Sequence, residues 1–81
     1  MSIRVLFFAS LADITGMRET EVEPAGLSDV ASLFSSFERR FPALAGHRPS
    51  LLYARNAEFV APDQALADGD EVAFLPPVSG G

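Results

Sequence analysis

Between Ser28 and Pro42 the apolar residues Val30, Leu33, Phe34, Phe37 and Phe41 recur at i, i+3, i+4, i+7 and i+11. That is one stripe of helical period. Ser32, Ser35, Ser36, Glu38 and Arg39 fill the other side. The chain has 81 residues, and nothing else in it carries a helical stripe of this length. A helix that is apolar on one face must bury that face against another layer. The segments around it have the period of strands, so the layer beneath is a sheet. Ser28 reads as the N-cap, Asp29 as a first-turn acid that complements the helix dipole, and Pro42 as the stop.

Ser2–Phe8 alternates from Ile3: Ile3, Val5 and Phe7 point one way, Arg4, Leu6 and Phe8 the other. Ser10–Thr15 reads as a short helical turn ending at a left-handed Gly16. Met17–Glu23 alternates again, with Thr20 and Val22 inward and Glu19, Glu21 and Glu23 outward. A row of acids suits an exposed sheet edge, where charge discourages pairing with another chain. After the helix, Pro42–Pro49 reads as a loop containing Gly46 and a solvated His47. Leu51–Arg55 is a third strand, Asn56-Ala57 a turn, and Glu58–Val60 a short return. Pro62–Leu66 reads as a tight turn that drops Leu66 into the core. Asp68-Gly69-Asp70-Glu71 opens a last strand, Glu71–Leu75.

This order predicts an α+β fold of β-grasp (ubiquitin-like) type: a mixed sheet of four to five strands with one main helix on one face. The last strand lies parallel beside the first. Val30, Leu33, Phe34 and Phe37 should then pack on Val5, Phe7, Val72 and Phe74. The expected organisation is one domain over residues 1–75 and an extended tail over 76–81.

Composition removes most other functions. Eleven acids face six bases, all of them Arg, for a net charge of −5, which leaves no basic stripe for nucleic acid. With no Cys there is no disulfide, thiol nucleophile or Cys-type zinc site, and one His cannot form a His pair. The acids near Asp68 lack the twelve-residue pattern of a calcium loop, so no metal site is expected. Hydrophobic residues make up 48% of the chain, which argues against disorder, yet no apolar run is long enough for a membrane span. No basic, cleavable leader is read at the start. The expectation is a soluble, cytoplasmic protein with no catalytic centre of its own.

The informative part is the tail, Pro76-Pro77-Val78-Ser79-Gly80-Gly81. Pro76 and Pro77 cannot join a sheet interior and hold the chain extended. Val78 is an apolar handle. Gly80 and Gly81 give a backbone without Cβ atoms, thin enough to thread a narrow tunnel in another protein. The Gly81 carboxylate stands at the tip.

Val5–Ala9 (VLFFA), Asp68–Phe74 (DGDEVAF) and Leu75–Gly81 (LPPVSGG) closely resemble the MoaD family, within the ubiquitin-like and ThiS superfamily. Its members are the small, sulfur-carrier subunits of molybdopterin synthase. The likeness covers the whole chain in length and element order, and is most specific at the two ends. Ala12 departs from it, since a basic residue is expected before Asp13. The resemblance implies a carrier cycle centred on Gly81, with Val78, Ser79 and Gly80 threading into partners. A MoaB/ThiF-like adenylating enzyme would spend Mg-ATP to make an acyl-adenylate, and a sulfurtransferase would convert it to a thiocarboxylate. The carrier would then dock in a large, MoaE-type subunit, with which it is expected to form a heterotetramer. There the thiocarboxylate would give sulfur to cyclic pyranopterin monophosphate. No cofactor is expected on the chain itself.

Alternation and the parallel register place Leu6, Phe8, Ala73 and Leu75 together on the face without the helix, with Arg4 and Glu71 at its polar end. Phe59 joins them by resemblance, and Pro76 and Pro77 carry the surface into the tail. This is the expected partner interface; the competing arrangement has the Pro42–Pro49 loop covering it. Other readings are a thiamine-pathway sulfur carrier, a ubiquitin-like modifier of lysines on other proteins, and a plain β-grasp interaction domain.

Overall fold

The computed structural model describes residues 2–77. Five strands form one mixed sheet: β1 (Ile3–Phe7), β2 (Glu19–Val22), β3 (Leu52–Arg55), β4 (Glu58–Val60) and β5 (Glu71–Leu75). Two α-helices, α1 (Ser10–Thr15) and α2 (Val30–Arg40), and a run of 3₁₀ turns over Pro42–Ser50 complete the order. Across the sheet the strands lie β2-β1-β5-β3-β4. The central pair, β1 and β5, is parallel, and every other pair is antiparallel. As expected, the acidic β2 takes one edge; the short β4 takes the other.

Helix α1 ends where its sequence says it should. Gly16 has φ 73°, and its N–H donates to the Ala12 carbonyl at 2.8 Å. The start of α2 corrects the reading at Ser28. Asp29 is the N-cap: its Oδ1 accepts from the Ser32 N–H at 2.8 Å, while Ser32 Oγ accepts from the Asp29 N–H at 3.1 Å. This reciprocal capping box satisfies two otherwise orphaned donors, and such a cap is worth about 1 kcal/mol. Arg39 and Arg40 close the last turn, where positive charge suits the dipole.

A second correction concerns Pro42–Ser50, which is not an irregular loop but a chain of 3₁₀ turns. It buries Leu44 and packs against α2 and α1. Arg48 fastens it to the helix: Nε donates to Glu38 Oε1 at 3.1 Å and Nη2 to Ser35 Oγ at 2.8 Å. Its guanidinium also lies over the Phe34 ring, 5.2 Å from the centroid. The segment therefore belongs to the helical layer and leaves the opposite sheet face uncovered.

The core forms where the helical stripe meets the inward strand positions. Val30, Leu33, Phe34 and Phe37 from α2 are buried with Val5, Phe7, Val72 and Phe74 from the central strands. Aromatic rings meet edge to face, Phe7 with Phe37 at 4.9 Å and Phe34 with Phe74 at 5.0 Å. Phe41, last in the stripe, is the C-cap and only half-buried. Leu66 reaches the rim of the core, partly buried against it.

Candidate functional site

The face of the sheet opposite α2 is assembled by register. Leu6 pairs with Glu19 on one side and Ala73 on the other; Ala73 pairs with Ala54, and Ala54 with Phe59. One row of side chains thus crosses all five strands: Glu19, Leu6, Ala73, Ala54, Phe59. Beside it, Leu75 pairs with Leu52, next to Phe8, where β1 ends. On the other side Arg4 pairs with Glu21 and Glu71. The face is therefore graded, apolar where β5 delivers the chain to Pro76 and charged at the far end.

Phe59 is 72% exposed, Phe8 44% and Leu52 41%, and these are the exposed large apolar side chains among the described residues. Clustered exposed apolar residues on so small a protein mark a surface meant to be covered. Leu6, Phe8, Ala54, Phe59, Ala73 and Leu75 line a depression of about 250 Å³, with Ala57 and Glu71 at its border. At the charged end Arg4 Nε lies 2.9 Å from Glu19 Oε2, and Nη1 lies 3.4 Å from Glu71 Oε2. Both pairs are solvent-exposed and contribute little to stability. Their effect is to separate polar from apolar along the face.

The β3–β4 turn that presents Phe59 is held by a network around Asp70. Asn56 and Ala57 both have positive φ, 51° and 69°, the geometry of a two-residue hairpin turn matched to strand twist. Asp70 Oδ2 accepts from Arg55 Nε at 2.7 Å and from the Ala67 N–H at 2.7 Å; Oδ1 accepts from Asn56 Nδ2 at 3.1 Å. Asn56 completes the clasp, its Oδ1 accepting from the Glu71 N–H at 3.0 Å. Burial opposes ionisation of Asp70, but the hydrogen bonds from Arg55, Ala67 and Asn56 outweigh it and hold its carboxyl below the ordinary value. The network fixes the turn against the start of β5.

The structure brings Leu6, Phe8, Phe59, Ala73 and Leu75 onto one face, with Pro76 and Pro77 directly after β5. Val78, Ser79, Gly80 and Gly81 lie outside the described residues. Sequence reasoning missed Leu52 and Ala54, which reach the face only through the antiparallel pairing of β3 with β5. Alternation within Leu51–Arg55 was the available signal, since buried Leu51 and Tyr53 alternate with Leu52 and Ala54. Among the described residues no group of three or more His, Asp or Glu stands close enough to hold a metal ion, and no helix is long and apolar enough to cross a membrane.

The strand order, the single crossing helix and the uncovered face define a ubiquitin-like β-grasp protein. Small archaeal modifier protein 1 from Haloferax volcanii has the same architecture, with a TM-score of 0.80, 32% identity and full coverage of both chains. The chain belongs to the ThiS family, whose family model matches residues 5–81. Among curated relatives, the molybdopterin synthase sulfur carrier subunit of Escherichia coli is 43% identical, covering 98% of this chain and 99% of the relative. The protein of that name from Chlamydomonas reinhardtii is 37% identical, with both chains covered completely. The family resemblance carried by the two ends of the sequence is thus correct.

Proposed function

We propose that this chain is a sulfur carrier for molybdopterin synthesis, with the Gly81 carboxyl as its working group. The observation that carries the reading is its full-length similarity to proteins named molybdopterin synthase sulfur carrier subunit. The apolar face beside the exit of the chain supports it. In the first step a carboxylate oxygen attacks the α-phosphate of Mg-ATP on a ThiF-like adenylating enzyme, releasing pyrophosphate. The terminal sulfur of a persulfide on a sulfurtransferase then attacks the acyl carbon and displaces AMP, and a thiol reductant cleaves the resulting S–S bond to leave a terminal thiocarboxylate. Docked in the large synthase subunit, the thiocarboxylate sulfur attacks cyclic pyranopterin monophosphate, and hydrolysis of the acyl link returns Gly81 to a carboxylate. Each dithiolene consumes two carriers. ATP and magnesium belong to the activating partner, and the acid–base chemistry to the large subunit.

Single-turnover reconstitution tests this. Protein carrying a chemically prepared C-terminal thiocarboxylate, mixed with the large subunit and cyclic pyranopterin monophosphate, should yield molybdopterin at one dithiolene per two carriers. The carboxylate form should yield none. Equal product from both forms would sink the reading.

A second reading has a specific observation behind it: the likeness over the whole chain to small archaeal modifier protein 1. In that role the activated Gly81 carboxyl would be captured by lysines of other proteins. With no Lys of its own, the chain could not extend into a polymer on its own lysines. Isopeptide adducts in cell extract, recovered under denaturing conditions, would favour this role over sulfur transfer.

A further inference from the structure

The row that crosses the open face has a profile. Inside Glu19, Leu6 and Phe59 flank a gap in it, with Ala73 and Ala54 between them on the adjacent strands β5 and β3. Neighbouring strands lie about 4.8 Å apart, so the outer two, β1 and β4, are roughly 14 Å apart. Two methyl groups floor this gap while larger side chains wall it. Phe8 and Leu75 border one end, and Glu71, engaged by Arg4, closes the other. The result is a trough of about 250 Å³ rather than a flat patch. Pockets for small ligands generally run from about 300 to 1,000 Å³ and enclose most of the ligand. An open trough of this size instead suits a single anchoring side chain from a protein partner.

The reach of the tail limits the partner to a protein that acts on Gly81. Residues 78–81 can extend at most about 14 Å beyond Pro77. A protein that holds the Gly81 carboxyl inside its own active site is therefore brought close to the end of β5, where Leu75 borders the trough.

Resting on the carrier reading above, we propose that the large synthase subunit inserts one bulky apolar side chain, a Leu, Met or Phe, between Leu6 and Phe59. Ala54 and Ala73 are the residues that determine this fit. Their small size is what admits the anchor, so filling the floor should be as damaging as removing the walls. That requirement sets them apart from an ordinary exposed apolar face, on which larger apolar side chains strengthen binding.

The test is calorimetric titration of Ala54→Leu and Ala73→Leu with the purified large subunit, after melting curves have established that each variant is folded. Each substitution should weaken binding at least tenfold, although it adds apolar surface. Wild-type affinity in both would overturn the trough. Leu75→Asp, titrated in parallel, separates the two levels of the argument. If it abolishes binding while the alanine variants bind normally, the face docks the partner but the trough does not accept an anchor. If all three bind normally, docking through this face falls as well. Should an alanine variant melt early, methyl resonances of wild-type Ala54 and Ala73 decide instead. Large shifts on addition of the large subunit support the inserted anchor, and unmoved resonances reject it.

Discussion

Asp70 is 5% exposed, and at its position a carboxylate is acceptable only because three donors converge on it. Replacing it with Ala removes those acceptors and leaves Arg55 and the Ala67 N–H without their partner. Hydrogen bonds to charged groups contribute about 1.5–3 kcal/mol, so Asp70→Ala should lower stability by roughly 2 kcal/mol, read from urea midpoints. The same network gives a pH signature. Because the folded carboxyl sits below its ordinary value, its contribution is complete above the ordinary carboxylate range and is lost as pH falls through the lowered folded value. Asp70→Asn should therefore be less stable than wild type at neutral pH, with the gap narrowing in acid. A gap that does not narrow would show that Asp70 acts through packing and not through its charge. In the sequence Asp70 is one acid of a polar turn. Its role depends on Arg55 and Asn56, which the fold brings across from another hairpin.

At the scale of elements, α2 supplies one whole layer, so its apolar stripe should dominate stability. Phe34→Ala and Phe37→Ala should each cost about 3–5 kcal/mol, a large share of the roughly 5–15 kcal/mol that holds a domain together. Melting curves unchanged by both substitutions would refute the assignment of that face. The stripe and the strands were legible because burial imposes periods of 3.6 and 2 on the sequence. The cap was misplaced by one residue because Ser28 and Asp29 are both good cap formers; Ser32, three residues after Asp29, is the partner that decides between them. Pro42–Ser50 was unreadable as structure for a different reason. Short 3₁₀ turns carry no strong hydrophobic period, and this run is fixed by Arg48 reaching back to Glu38 and Ser35.

In the whole molecule, burial and exposure are divided between two sides of one sheet. One side joins α2 in the core, and the other gathers Phe8, Leu52 and Phe59 in the open beside the strand that leads into the tail. Half of that surface could be read from alternation in β1 and β5. For Leu52 and Ala54, alternation within β3 marks the face they share, but their place beside Leu75 and Ala73 comes from the pairing of β3 with β5, which nothing local specifies. The carrier reading stands or falls on the terminus at Gly81. Intact mass spectrometry after co-expression with an adenylating enzyme and a sulfur source tests it most directly. Wild-type protein should gain the mass of one oxygen-to-sulfur exchange, and protein with one residue appended to Gly81 should gain none; the same exchange in the extended protein would contradict the account.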